Sequence, residues 1–435
     1  MKWFAAAALI LLLALSLGLG LLAYAMYALL AVLVASRILA RAAIAHVTAV
    51  RECNRLSLNA GETVAVVVTV KNTGRVPVLW LLLEDLLPRE ALIHEPPNLR
   101  VRGKRLQLLM LRGGAQGTIY YQLQCNRRGY YQLGPLMLET GDLFGLHRRY
   151  RIASEPHFLL VLPEIVPLEG FDIASRRPIG EVRMTYRLFE DPTRMAGVRR
   201  YERGDPLNRV HWRATARTGL LHSKLYEPST VAGATILLDF HQSAYPPANE
   251  PYRSELAATA AASLANTVYQ MGQQIGLVTN ARDAADRIRQ EGWAPDPRTR
   301  RAARQSVTML AHNDRLRPLS VETRRGPEQL MRILETLARA ELTDGLQFAE
   351  LVGESAARLP RDATVVAILS QVSPASAIAL GNVRRRGFAV TAFVNLYEER
   401  EYAEAAGLLL AEGVESRHLR DRESLSGICQ AYVLR

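Results

Sequence analysis

The sequence predicts a multidomain membrane protein: an N-terminal transmembrane helical hairpin, an all-β sandwich, then a doubly wound α/β domain. Three observations predict it. Trp3–Ser36 is a run of 34 residues without a charge, and short β-branched runs crowd the stretch between Val47 and Pro163. After Pro228, strand-like and helix-like stretches alternate. The expected divisions are residues 1–43 (anchor), 44–165 (sandwich), 166–229 (a basic connector) and 230–435 (α/β).

As one helix the apolar run would be about 51 Å long, against a hydrocarbon core of about 30 Å. Two spans, Trp3–Leu17 and Leu21–Ser36, joined at Gly18-Leu19-Gly20, fit better than one tilted span, because glycine lets a helix stop and reverse. Lys2 flanks one side, Arg37 and Arg41 the other. Basic flanks favour the cytoplasm, so both ends of a hairpin belong there. A cleaved signal peptide has an apolar region of about 7–15 residues, and this run is more than twice that, so a retained anchor is expected.

In the next segment Glu62–Val70, Val78–Leu86, Lys104–Leu111, Gly117–Cys125, Tyr130–Leu138 and His157–Leu162 read as strands. Asn72-Thr73-Gly74, Pro96-Pro97, Gly113-Gly114 and Arg128-Gly129 supply turns between them. Short strands without a helical period predict an antiparallel sandwich. The last segment offers strands at Ala234–Phe240, Gln274–Thr279, Thr364–Leu369 and Phe388–Val394. Helix-like stretches lie at Tyr252–Met271, Pro327–Ala340, Leu346–Leu359, Pro374–Arg386 and Glu398–Ala411. That alternation predicts a parallel sheet covered on both faces. The arginine-rich Asp296–Arg317 reads as an inserted surface helix.

Net charge is +12. Only Lys2, Lys71, Lys104 and Lys224 are lysine, which reads as coding bias rather than arginine-specific recognition. Three scattered cysteines, Cys53, Cys125 and Cys429, make neither a disulfide framework nor a cysteine zinc site. Arg176–Lys224 holds twelve Lys/Arg and five Asp/Glu, so +7 of the charge sits in the connector. No nucleic-acid-binding motif accompanies it, so no specific nucleic acid is expected, and the anionic bilayer surface is the better acidic partner.

The connector contains Arg199-Arg200-Tyr201-Glu202-Arg203-Gly204-Asp205-Pro206-Leu207-Asn208-Arg209-Val210-His211-Trp212-Arg213-Ala214-Thr215-Ala216-Arg217. This resembles the signature of a bacterial membrane-protein family known as domain of unknown function 58. The matching positions are Arg200 (or Arg199), Tyr201, Gly204, Asp205, Arg209, Trp212, Arg213, Ala216 and Arg217, with Val210 where isoleucine is usual. The paired apolar helices, a β-rich domain ending near Gly141-Asp142-Leu143-Phe144-Gly145-Leu146, and the last domain also resemble that family. The resemblance implies a C-terminal domain like von Willebrand factor A. It further implies a MoxR-type AAA+ ATPase as partner, with a transglutaminase-like membrane protein as a further one. Asp205 would suit a turn or cap accepting from Arg200, Arg209 or Arg217, and Trp212 would offer a face for arginine stacking. The signature therefore reads as a buttress between domains or as a partner- or anion-binding surface.

Von Willebrand A domains with a working metal site carry Asp-x-Ser-x-Ser after their first strand. Here Asp239-Phe240-His241-Gln242-Ser243 keeps Asp239 and Ser243 and puts His241 between them. The later Thr/Ser-Asp-Gly looks replaced by Ser370-Gln371-Val372. No metal or other cofactor is therefore expected, and the loop reads as a hydrogen-bonded edge of the sheet, the usual binding side of an open α/β domain. There is no P-loop, GxSxG elbow, HExxH or CxxC, and His211 and His222, eleven apart, have no cysteine or carboxylate at a spacing that would complete a zinc site. The expectation is a non-enzymatic adaptor at the bacterial inner (cytoplasmic) membrane with cytoplasmic soluble domains. The alternatives are a divalent-cation-dependent module, an anionic-lipid binder and, behind both, a hydrolase.

Overall fold

The computed structural model describes residues 2–93, 97–142, 147–168, 190–201, 210–228, 233–286, 316–360 and 363–428. Contacts divide the chain into two compact units. One comprises Met1–Glu164, Arg282–Asn313 and Leu334–Glu341, the other Ile165–Ala281, Asp314–Ile333 and Leu342–Arg435.

The first unit begins with two apolar antiparallel helices, α1 (Lys2–Ser16) and α2 (Gly20–Ala45). They turn where the glycine pair predicts, but α2 runs past Ser36 through its two arginines to Ala45. Strands β1 (Val47–Cys53), β2 (Ser57–Asn59), β3 (Thr63–Asn72) and β4 (Val78–Asp85) follow, and then a short helix, α3 (Arg89–Ile93). Next come β5 (Leu99–Gly103), β6 (Leu106–Leu111), β7 (Gln116–Cys125), β8 (Gly129–Leu133), β9 (Leu136–Gly141), β10 (Arg148–Ser154) and β11 (His157–Leu162). They form two four-stranded antiparallel sheets, β1-β3-β7-β5 and β10-β9-β4-β6, beside a three-stranded sheet β2-β11-β8.

Period-two patterning explains the packing. Val64, Val66, Val68 and Val70 of β3 point inward with Ile119, Tyr121 and Leu123 of β7. They share one core with Leu81 and Leu83 of β4 and Leu136 and Leu138 of β9. Two expectations need correction. Tyr130–Leu138 is not one strand: it breaks at Gly134-Pro135, and β8 and β9 join different sheets, since proline cannot donate to a ladder. Nor is the pairing wholly antiparallel, because β11 pairs with β2 in parallel.

One polar cluster sits inside this core. Arg51 Nε and Nη2 donate to Asp85 Oδ2 and Oδ1 at 2.8 and 2.5 Å, and Tyr121 Oη donates to Asp85 Oδ2 at 2.6 Å. Arg51 Nη1 donates to the Leu133 carbonyl at 3.0 Å. A Cβ at Gly134, whose φ is +94°, would strike the Arg51 guanidinium. Only glycine leaves that space.

In the second unit a two-stranded antiparallel arm is made by β12 (Glu190–Arg200) and β13 (His222–Pro228), with α4 (Trp212–Thr218) between them. A six-stranded sheet then begins with β14 (Gly233–Leu238), α5 (Tyr252–Gln270) and β15 (Gln274–Thr279). The chain then leaves this unit at β16 (Arg282–Asp283), returns for β17 (Leu319–Arg324) and the start of α6 (Pro327–Arg339), and leaves it again before β18 (Ala340–Glu341); β16 and β18 pair with each other in the first unit, outside that sheet. Helix α7 (Phe348–Ser355), β19 (Ala363–Leu369), α8 (Pro374–Arg385), β20 (Val390–Val394), α9 (Glu399–Ala411), β21 (Glu415–His418) and α10 (Arg422–Ser426) complete it. The sheet order is β17-β15-β14-β19-β20-β21. It is mixed rather than parallel, because the edge strand β17 runs antiparallel to β15. Its Leu319–Arg324 sequence alternates polar and apolar residues, as suits an exposed edge and not a buried parallel strand. Leu237, Val365, Ala367, Val390 and Ala392 pack one face against α7, α8 and α9. The alanine-rich inner side of α5 is buried as well. The inserted helix expected at Asp296–Arg317 lies almost wholly outside the described residues.

Candidate functional site

The order of strands places the reversal of chain direction between β14 and β19. Beyond the carboxyl ends of such strands an open α/β sheet leaves a crevice for ligands. Asp239 stands there, directly after β14, with its backbone N–H donating to the Ile368 carbonyl at 3.0 Å. It is 3% exposed. Its Oδ1 accepts from Asn280 Nδ2 at 2.9 Å and from the His241 N–H at 3.1 Å. Burial pushes its carboxyl above the ordinary carboxylate value, while Asn280 and then His241 hold it down.

His241 turns its ring onto its own loop. Nδ1 lies 2.7 Å from Ser243 Oγ and accepts the Ser243 N–H at 3.2 Å, capping a single 3-10 turn. Both contacts fold the ring back onto its own turn. Tyr245 Oη closes the loop from behind by donating to the Asp239 carbonyl at 2.7 Å.

Asn280, Thr343 and Asn395 did not stand out in the sequence. Asn280 follows β15, and besides holding Asp239 it accepts the Phe240 N–H at 2.6 Å and donates to the Leu346 carbonyl at 2.8 Å. Thr343 bridges to His241, accepting the Gln242 N–H and donating its own N–H to the Phe240 carbonyl. In the same turn Thr343 Oγ1 accepts the Gly345 N–H at 3.0 Å. Beyond β19, Ser370 Oγ accepts from Asn395 Nδ2 at 3.0 Å. Asn395 Oδ1 receives Arg253 Nη1 at 3.0 Å. That guanidinium packs over the Tyr252 and Tyr397 rings, and Arg420 covers Tyr397 as well. The signal available for these residues was position: each asparagine is the first residue after its strand. Among the described residues no group of three or more His, Cys, Asp or Glu is placed to hold a metal ion.

The signature residues lie on the arm. Arg200 ends β12 opposite His222, and the Tyr201 N–H donates to the Leu221 carbonyl at 2.9 Å. Gly204, Asp205 and Arg209 lie outside the described residues. Val210 is buried and bridges to Ser223. His211 is a cap, its Nδ1 accepting the Ala214 N–H at 3.0 Å, and Gly219 ends α4 in the left-handed region at φ +70°. His222 is held by Thr215 and Thr218. Both histidines are thereby accounted for as scaffold.

Helix α4 itself buries nothing. Trp212 is 69% exposed, and Arg213, Ala216, Arg217, Leu220 and Leu221 are exposed beside it. Among the described residues no cation covers the Trp212 ring, so the expected arginine stack is not formed there.

Comparison with known proteins finds similarity to a family whose function is described as unknown. Residues 197–348 match the family described as "Protein of unknown function DUF58". The chain is 24% identical over 337 residues to the "Uncharacterized protein YeaD" of Bacillus subtilis (strain 168), covering 76% of this chain and 79% of that protein. Among solved structures, proximal thread matrix protein 1 from the mussel byssus matches at 10% identity over 45% of this chain and 46% of its own, with a TM-score of 0.28. The CARDB domain of a Pyrococcus furiosus protein matches at 10% identity over 26% of this chain and 91% of its own, with a TM-score of 0.18. The segment similar to the unknown-function family thus opens inside β12 and closes at the first residue of α7, and it takes in both the exposed arm and the Asp239, Asn280 and Thr343 edge.

Proposed function

We propose that the chain is a membrane-anchored, non-enzymatic adaptor that uses the β12–α4–β13 arm to hold a partner protein. The observation that carries this reading is Trp212, a large ring left 69% exposed on a helix without one buried residue. Tryptophan and arginine are the residues that most often dominate the energy of protein interfaces, and Arg213 and Arg217 are exposed on the same helix. A ring of this size offers a large apolar contact surface with a polar N–H at its edge, which suits an interface. By the family resemblance the partner is a MoxR-type AAA+ ATPase, with a transglutaminase-like membrane protein as a further member of the assembly. Basic charge on the arm favours an acidic patch on that partner.

The anchor reading rests on α2, a 26-residue apolar helix near the N-terminus, with α1 folded back along it. Lys2, Arg37 and Arg41 at the open end support the cytoplasmic face of a bacterial inner membrane. The order β17-β15-β14-β19-β20-β21, with one antiparallel edge strand and polar loops at the carboxyl edge, supports a von Willebrand A-like domain. Asp239, His241 and Ser243 spend hydrogen bonds on one another and on Asn280, which favours a rigid loop over a cation cage.

Binding of a purified MoxR-type ATPase to membranes carrying the full chain tests the reading. Binding should be lost with Trp212→Ala while the melting temperature stays within a degree or two of the parent's, roughly the effect of a surface substitution. Undiminished binding by this variant would remove the arm from the proposal.

A further inference from the structure

We infer that the α1–α2 hairpin is a re-entrant wedge that enters the bilayer from one face, with its turn inside the hydrocarbon, and that no part of it reaches the far side. The inference rests on the anchor reading above and concerns how deep that anchor goes.

The sandwich fixes the depth. Ser36 Oγ lies 3.3 Å from His147 Nδ1, and Ser36, Ala40 and Ala43 are buried. At the end of α2, Arg151 Nη1 donates to the carbonyls of Ile44, Ala45 and Val47 at 3.2, 3.1 and 3.4 Å. The last ten residues of α2 therefore belong to the soluble unit. Gly20–Ala35 alone is free to enter lipid, and at 1.5 Å per residue it reaches about 24 Å. The hydrocarbon core is about 30 Å thick, and 40–45 Å with its headgroup layers. If Ser36 sat at the near hydrocarbon boundary, Tyr24 would be about 18 Å in, roughly 12 Å short of the far boundary where an aromatic anchor belongs.

The turn is built for hydrocarbon. Gly18, at φ +67°, ends α1 in a left-handed cap: the Leu19 N–H donates to the Ala14 carbonyl at 2.9 Å and the Gly18 N–H to Leu15 at 3.3 Å. Leu17, Gly20 and Ala23 donate to Leu13, Gly18 and Leu19 at 3.0 Å each. The one polar side chain between Ile10 and Ala23 is Ser16, and its hydroxyl donates to the Leu13 carbonyl at 2.8 Å. Lipid favours backbone whose polar groups are satisfied internally, and these bonds satisfy most of the turn, leaving the N–H groups of Leu21 and Leu22 in the first turn of α2. Leu12, Leu13, Leu15, Leu17, Leu19 and Leu21 all face outward, Leu21 at 91% exposure. A turn emerging into water would not present leucine on every side. At the opposite end Arg37, and Arg148 and Arg149 next to His147, lie at the level of headgroup phosphates.

Thiol labelling tests this in the full chain. Leu17→Cys and, separately, Arg149→Cys are treated with a membrane-impermeant maleimide in right-side-out and inside-out vesicles. The parent chain sets the background from its own cysteines. Arg149→Cys should label from one face. Leu17→Cys should label at least roughly tenfold more slowly from both faces, since the reactive thiolate does not form in hydrocarbon, and should label once detergent is added. Labelling of Leu17→Cys from the face opposite Arg149→Cys would mean two full spans and overturn the wedge. Labelling from the same face would mean that the turn lies outside the lipid and overturn it equally. Release of the parent chain from membranes by alkaline carbonate would instead defeat the anchor reading itself.

Discussion

Asn280 donates to Asp239 Oδ1 at 2.9 Å, and through its own Oδ1 it accepts the Phe240 N–H at 2.6 Å. One amide thus fixes both the carboxylate and the backbone just beyond β14 from the neighbouring strand. Asn280→Ala would leave the Phe240 N–H and the Leu346 carbonyl without their partner in a buried place. Two unsatisfied groups cost about 3 kcal/mol together, a loss readable in urea unfolding. A loss below about 1 kcal/mol would show that the clamp is not needed.

Asp239 makes a pH prediction. Burial raises its folded value above the unfolded one, so the folded state favours the protonated acid. The stabilisation is full below the ordinary carboxylate pKa of about 3.9 and is lost as pH rises through the raised value. Asp239→Asn keeps an acceptor for Asn280 and cannot ionise. Its stability relative to the parent should therefore grow as pH rises from 4 towards 7, measured by thermal melts. A difference that does not change with pH would contradict this.

Arg51, Asp85 and Tyr121 tie the two large sheets of the sandwich together, since Arg51 and Tyr121 come from one and Asp85 ends a strand of the other. Removing one partner of a buried pair strands the other charge. Asp85→Ala should cost about 3–5 kcal/mol and Tyr121→Phe about 1 kcal/mol. Equal effects from the two would mean that the ion pair contributes nothing beyond its packing.

Cys125 supplies a check on the core. Burial pushes its thiol up to about 12. At pH 8 it should resist a maleimide in the folded chain and react only at the rate of unfolding, while Cys53, partly exposed, reacts first. Rapid modification of Cys125 in native buffer would show that the sandwich opens there.

The turn at Gly18, the strands β3, β4, β6 and β7, and the alternation after Pro228 were legible because apolar period and glycine position encode them locally. The break at Gly134-Pro135 was less so, since one run of strand-forming residues serves two sheets. Edge strands β1, β5, β17 and β21 carry too much charge and polarity to stand out, yet pairing with a neighbour makes them strands. At the carboxyl edge Asp239 was visible from a spaced pattern. Asn280, Thr343 and Asn395 are single residues whose meaning comes from their neighbours across the sheet. Trp212 was legible as part of a signature, while its exposure was not, because a lone tryptophan reads equally well as core.

The adaptor reading depends above all on what the arm touches. The direct measurement is the affinity of the purified MoxR-type ATPase for the full chain in native membranes, with parent, Trp212→Ala and Arg217→Ala compared after each is shown to be folded. The account predicts saturable binding to the parent, weakened at least tenfold by Trp212→Ala, as for an interface residue worth about 1.4 kcal/mol or more, and less by Arg217→Ala. Equal binding by all three, or none by the parent, would contradict it.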